Sequence, residues 1–323
     1  MENDTSYSPS RRTVAGGLGA GLGAGLGAGL GAGLMAPSLA FAQAQTPLLA
    51  RPIPHGGNET LPSVGVGTVK VFDVGSSQQD RAGPTAVVRA LVAGGGSLID
   101  TAPSDGDAES VVGQILSDTG LRSRTIIATK LERYRRGDLV AETRECLQRL
   151  RTDRIDVLQL HNVRDPNQDM GELNGLKSQG LCRYTGITTT FESSYAAAEA
   201  VIQRSKPDFL EIDYAIDNRD AEQRVLPAAR DAGTAVLVAL PFGRGRLFRL
   251  ALGKKLPEWA AEIDCASWGQ FFLKFLLGNP VVTAVIPGTD KPEHMVDNLG
   301  AGHGRLPDAA MRARMVKYVE SLG

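Results

Sequence analysis

Eight short runs of β-branched and aliphatic residues recur along the chain, separated by longer Ala/Leu/Glu/Arg-rich stretches. This alternation restricts the fold more than any other feature of the sequence. The runs are 62–68, 97–100, 125–130, 155–161, 184–188, 209–214, 234–240 and 281–286. Between them apolar residues return at helical spacing. Val88, Leu91 and Val92 share a face that Arg89 avoids, and Leu147 and Leu150 share one that Arg144, Glu145 and Arg149 largely avoid. Such alternation builds a parallel sheet, either open and doubly wound or closed into a barrel. A nucleotide-binding open sheet needs Gly-x-Gly-x-x-Gly after an early strand, but Gly65 and Gly67 run into Thr68, Val69 and Lys70. Eight units in about 250 residues fit one α/β domain, a (β/α)8 TIM barrel.

The barrel pattern starts late. Ten of the 38 glycines lie between Gly16 and Gly33, in a Leu-Gly-Ala-Gly repeat, and no charged residue occurs from Thr13 to Ala50. Arg11 and Arg12 precede this stretch, and Ala42, Gln43 and Ala44 offer small residues at signal-peptidase spacing. Alternating glycine makes a poor membrane-spanning helix. The segment resembles a cleavable twin-arginine signal, dividing the chain into a leader, 1–44, and a barrel, 45–323. That resemblance implies export to the periplasm or beyond, the twin-arginine machinery as a partner, and no stable membrane insertion after cleavage.

With 35 basic against 36 acidic residues the chain lacks the cationic field of a general nucleic-acid binder. Cys146, Cys182 and Cys265 are too few and too scattered for a disulfide framework or a thiolate zinc site. His161, His294 and His303 are not at metal-ligand spacing, so no metal is expected.

Chemistry in a parallel barrel belongs at the carboxyl ends of the strands. Asp100, Lys130 and His161 end three consecutive strand runs, each otherwise mostly apolar. Aspartate and lysine are seldom buried unless paired, so an Asp100–Lys130 pair accounts for both most cheaply.

From Leu61 to Leu299 these residues resemble the aldo-keto reductase family. The likeness is carried by Gly65-Val-Gly-Thr68, Asp100-Thr-Ala-Pro, Ala128-Thr-Lys130, Arg154 to His161, Gly186-Ile-Thr, Tyr214, Pro241-Phe-Gly243, Ile286-Pro-Gly and Asp297-Asn298. The resemblance implies nicotinamide-dependent interconversion of an aldehyde or ketone and an alcohol, with NADPH or NADH. It implies a tyrosine acid tuned by lysine and aspartate, and a histidine that orients the carbonyl. Asp100, Lys130 and His161 match those positions, but the tyrosine's place holds Asp105. A carboxyl is about six pKa units more acidic than a phenol. Beside Lys130 it favours its anion; among other carboxylates it retains a proton. Tyr134 is the one tyrosine nearby in sequence.

The resemblance assigns the dinucleotide to Gly67, Thr68, Thr188, Thr189, Glu211, Pro241, Phe242, Gly243, Arg244, Arg246, Pro287, Gly288, Thr289, Lys291 and Asn298. Several of these depart from the family pattern. Thr188-Thr189 replace a Ser-Asn pair, Glu211 a glutamine and Ala239 a stacking aromatic, while Asp290 replaces an arginine near the adenosine phosphate. The pocket is therefore expected to be weakened. Three readings follow: an exported reductase with proton transfer rebuilt around Asp105, a catalytically impaired barrel that binds a dinucleotide or small molecule, and a non-redox acid–base enzyme using Asp105 and His161.

Overall fold

The computed structural model describes residues 47–132 and 138–323. The leader with Arg11, Arg12 and Ala44, and also Tyr134, lie outside the described residues. Ten strands and ten α-helices alternate among the described residues. In order they are β1 (Ala50–Pro52), β2 (Thr60–Pro62), β3 (Val66–Gly67), α1 (Ala82–Ala93), β4 (Leu98–Asp100), α2 (Ala108–Thr119), β5 (Ile126–Leu131), α3 (Leu139–Leu150), β6 (Ile155–Leu160) and α4 (Gly171–Ser178). There follow β7 (Cys182–Thr189), α5 (Tyr195–Ser205), β8 (Phe209–Asp213), α6 (Val225–Ala232), β9 (Ala235–Ala239), α7 (Arg246–Leu250), α8 (Trp268–Leu277), β10 (Val282–Val285), α9 (Pro292–Gly300) and α10 (Ala309–Glu320).

Strands β3 to β10 form one parallel sheet in sequence order. Parallel bridges Val64↔Val285 and Gly67↔Gly288 bring its two edges together, so the sheet curls into a barrel flanked by helices. β3 has only two residues, and a Cβ on Gly67 would meet the Ile286 carbonyl oxygen at 3.0 Å. Glycine suits this position because the backbone just past β10 passes so close.

Alternate residues of each strand face opposite sides, which divides the apolar core in two. The outward set, including Val66, Ile99, Ile127, Leu158, Ile187, Leu210 and Val236, packs under the helices. α1 meets it with Pro84, Val87, Val88, Leu91 and Val92, a single helical stripe. The inward set, including Leu98, Ala128, Val157, Tyr184, Phe209, Leu237 and Ala284, fills the lumen. Tyr184 and Phe209 meet edge-on there, with ring centroids 5.5 Å apart.

The first run, 62–68, is not one strand. Pro62 ends β2, which pairs antiparallel with β1, and β3 begins only at Val66. This hairpin sends Ile53 and Leu61 into the inward cluster, plugging the lumen. Helix starts are secured by side chains that accept orphan backbone N–H groups. Asp138 accepts from Ala141 (2.9 Å), Ser267 from Gln270 (3.0 Å) and Asp308 from Met311 (2.8 Å). Each such cap contributes about 1 kcal/mol. Trp259 and Trp268 pack among Phe271, Phe272 and Tyr318.

Candidate active site

Above the apolar lumen, the next inward position on several strands is polar. Two residues beyond Leu98, Ala128, Val157 and Phe209 stand Asp100, Lys130, Gln159 and Glu211, all buried. Gly186 on β7 leaves the room for this layer, since a Cβ there would lie 3.0 Å from the Gln159 side chain and 2.7 Å from the Phe209 carbonyl.

Lys130 is the hub. Its Nζ donates to Asp100 Oδ1 at 2.6 Å and to the Thr101 carbonyl at 3.0 Å, and lies 3.0 Å from Glu211 Oε2. Gln159 Nε2 donates to the same Glu211 oxygen at 2.9 Å. Burial and the Glu211 carboxylate push Asp100 well above the usual carboxylate range, against the pull of Lys130. Burial also opposes ionisation of Glu211, but Lys130 outweighs it and holds that carboxyl below its usual value. Lys130 itself is raised, because Asp100 and Glu211 together overcome its burial. A buried lysine thus sits between two acids, 2.6 Å from Asp100 and 3.0 Å from Glu211.

Asp105 lies in the loop after β4. Thr68 Oγ1 donates to its Oδ2 at 3.2 Å. Burial raises the Asp105 pKa, and the opposing pull of Lys130 and Thr68 does not cancel that rise. Of the two opposing neighbourhoods expected for this carboxyl, desolvation outweighs the lysine, and the group favours its proton more than an exposed aspartate does. His161 follows β6 directly, its backbone N–H bonded to the Leu131 carbonyl at 3.0 Å, and its Nδ1 lies 2.9 Å from Glu132 Oε1.

A cavity of about 520 Å³ opens over this layer at the carboxyl ends of the strands. Its lining brings together Asp100, Asp105, Lys130 and His161 with Gly67, Thr68, Glu211, Pro241, Phe242, Arg244 and Gly288. The other residues assigned to the cofactor lie outside that lining. Thr188 Oγ1 accepts from the Asn162 N–H at 2.8 Å, and Thr189 is buried with its hydroxyl toward the Phe191 carbonyl. It is Thr190, held by Asn162 Oδ1 at 3.1 Å, that reaches the cavity. Glu211 is committed to Lys130 and is not a lone acceptor. Arg246 pairs with Asp217 at 2.6 Å, whereas Arg244 on the rim has no such carboxylate partner among the described residues. Gly243 turns the loop at φ 55°, and the Pro287 carbonyl accepts from Gly67. Thr289 Oγ1 accepts from the Lys291 N–H at 3.1 Å, and Asn298 is buried on α9.

Backbone strain gathers at the same place. Of the non-glycine residues at positive φ, Arg151, Lys206 and Asp264 merely end helices. Lys70, Leu240 and Arg244 line the cavity, and Asn162 stands beside it. Such conformations cost about 1–3 kcal/mol each and tend to mark functional sites.

Glu132, Gln159, Thr190 and Asn162 were missed in the sequence. Gln159 was findable, because it shares the inward parity of Val157. Glu132 and Thr190 lie past regular strand positions and carry no periodic signal. The cysteines are buried, and burial pushes Cys182 up to about 12 and Cys265 to about 11, so neither is a ready nucleophile. No group of three or more His, Cys, Asp or Glu residues suited to a metal occurs among the described residues.

A parallel barrel whose carboxyl-end cavity holds a buried lysine, three acids and a histidine has the architecture of a barrel enzyme. The chain belongs to the aldo/keto reductase family, whose model matches residues 63–315. It is 28% identical over 267 residues to the aldo-keto reductase str7 of Strobilurus tenacellus, covering 70% of this chain and 78% of that one. An aldo-keto reductase of Klebsiella pneumoniae solved in complex with NADPH superposes with a TM-score of 0.67 at 24% identity, covering 82% of this chain and 93% of that one. The holo form of aldo-keto reductase AKR11C1 from Bacillus halodurans gives 0.67 at 22% identity, covering 84% and 96%.

Proposed function

We propose that this chain is a nicotinamide-dependent oxidoreductase that interconverts a small carbonyl compound and its alcohol, with Asp105 in place of the family's tyrosine as the proton donor. The observation that carries this reading is Asp105 itself. It shares one cavity with Lys130 and His161, and burial keeps its carboxyl inclined to hold a proton.

The rim suits a dinucleotide. Arg244 offers a cation to a pyrophosphate, and Gly245 and Gly288 keep the backbone low on either side of it. Thr68 and Thr190 supply hydroxyls nearer the floor. When bound, the nicotinamide supplies or accepts a hydride. The chain's own residues deal with the proton and with water. Asp105 delivers a proton to the oxygen of the reacting carbonyl, and Thr68 fixes its carboxyl by donating to Oδ2. Lys130, immobilised by Asp100 and Glu211, supplies a fixed positive charge under the cavity that favours the developing alkoxide. Val69, Val71, Leu240 and Phe242 present apolar surface that excludes water around the substrate. Because Arg246 is bound to Asp217 and Asp290 stands before α9, NADH is favoured over NADPH with its extra phosphate.

Titration calorimetry with each dinucleotide, followed by turnover on an aldehyde panel, tests this. Binding of neither dinucleotide removes the reading.

Export is part of the same proposal. Arg11-Arg12 and the uncharged glycine-rich stretch to Ala44 support a twin-arginine leader on 1–44, with the barrel acting outside the cytoplasm.

A further inference from the structure

Glu132 lies two residues beyond Lys130, just past the end of β5. Its carboxylate reaches two neighbours. It accepts from Ser104, through both backbone and side chain, and its Oε1 lies 2.9 Å from His161 Nδ1. Ser104 adjoins Asp105, so one side chain ties together the two loops that carry the proposed acid and the histidine. Burial opposes ionisation of Glu132, yet the Ser104 and His161 contacts hold its carboxyl below the ordinary value. An ionised carboxylate only accepts hydrogen bonds, so the hydrogen between Oε1 and Nδ1 belongs to the imidazole. A neutral imidazole carries a single N–H, which leaves Nε2 as a bare lone pair on the cavity that His161 lines.

We propose that Glu132 is a positioning residue that keeps the proton of neutral His161 on Nδ1, so that Nε2 acts as an acceptor and binds the alcohol form of the substrate in preference to the carbonyl form. The chemistry follows from the hydrogens available. An alcohol has a hydroxyl proton to give to Nε2, and a carbonyl oxygen has none. This inverts the donor role that family resemblance implies for His161 and leaves Asp105 as the donor facing the carbonyl. The charged groups around the ring are Glu132 from the end of β5, Asp105 from the loop after β4, and Lys130 below. The place of the ring proton rests on the Glu132–His161 contact and on an ionised Glu132; the alcohol preference rests on the oxidoreductase reading.

The test uses the full chain labelled with ¹⁵N-histidine, the His161 signals being assigned from their loss in His161→Asn. At a pH where the ring is neutral, Nδ1 should show the resonance of a protonated ring nitrogen and Nε2 that of an unprotonated one. Glu132→Gln should release this bias and populate the opposite tautomer, while Glu132→Asp should retain it in part. A wild type with its proton on Nε2, or a tautomer indifferent to Glu132→Gln, overturns the proposal whether or not any dinucleotide binds. In steady-state kinetics with benzyl alcohol and benzaldehyde, the KM ratio should favour the alcohol, and Glu132→Gln should shrink that preference about tenfold, the scale of one hydrogen bond. An unchanged ratio beside a changed tautomer overturns the alcohol preference and leaves the oxidoreductase reading standing.

Discussion

The ammonium of Lys130 on β5 lies 3.0 Å from Oε2 of Glu211 on β8, across the lumen of the barrel. Asp100 already holds that ammonium at 2.6 Å, so two buried carboxyls compete for one cation. Their tendencies to ionise diverge: burial and Glu211 raise Asp100 well above the ordinary carboxylate value, while Lys130 holds Glu211 below it. Held from both sides, the lysine keeps its charge and its place beneath the cavity.

Removing the cation leaves both acids without it. Lys130→Met is expected to destabilise the fold by about 3–5 kcal/mol, the cost of breaking a buried pair from one side. Glu211→Gln should cost clearly less, because Asp100 still pairs with Lys130 at 2.6 Å. Urea unfolding of the two variants checks this, and equal losses contradict it.

Stability should respond to pH through Asp105. Burial raises its folded pKa, so the folded protein binds this proton more tightly than the unfolded chain. Its contribution is then unfavourable above the folded pKa and is relieved as pH falls through it. Asp105→Asn should be more stable than wild type at neutral pH, and the difference should vanish below about pH 4, where an unfolded aspartate is also protonated. Asp264 has the opposite sign. Hydrogen bonds from Arg305 hold it at about 2. Its support is present above the unfolded value and is lost as pH falls toward 2. Thermal unfolding of wild type and Asp105→Asn across pH measures the difference; a gap that widens toward acid contradicts the assignment.

Dinucleotide choice should turn on Asp290, an exposed carboxylate beside Lys291 at the start of α9. Asp290→Arg should strengthen NADPH binding by about 1–3 kcal/mol, since aspartate repels a phosphate that arginine would hold by charge-assisted hydrogen bonds. NADH affinity should barely move. Calorimetric titration separates the two, and a variant that binds both dinucleotides more tightly to the same extent removes Asp290 from the phosphate site.

Export should depend on the arginine pair. Changing Arg11 and Arg12 together to lysine is expected to retain the precursor in the cytoplasm. Fractionation of cells expressing the double variant reads this directly, and efficient export of that variant contradicts the twin-arginine leader. N-terminal sequencing of the exported chain checks cleavage after Ala44.

The barrel was legible because its signal is periodic. Apolar runs such as 125–130 and 155–161 are buried on both faces, and α1 repeats a single stripe, so the pattern survives without tertiary information. The β1–β2 hairpin was not legible, since three-residue strands with Pro52 and Pro62 at their ends look like loop. In the site, Asp100 and Lys130 were readable as mutual partners because each would be costly to bury alone. Glu211 was legible as a site residue, but its pairing with Lys130 was not. Nothing local to 209–213 shows that β8 faces β5 across the lumen, and only barrel closure brings those side chains together. Thr190 was missed for a related reason: the strand ends at Thr189, and the Asn162 contacts beyond it decide which hydroxyl reaches the cavity.

The central claim is that Asp105 holds and delivers the proton in carbonyl reduction. Its most direct test is nicotinamide absorbance during turnover of an aldehyde panel by wild type, Asp105→Asn and Asp105→Tyr, with dinucleotide binding confirmed for each. Wild type should turn over. Asp105→Asn should lose about 10²–10⁴-fold in kcat, the contribution of a positioned general acid, while still binding the dinucleotide. A wild type that binds the dinucleotide without turnover, beside an Asp105→Tyr variant that reduces aldehydes, would contradict the account.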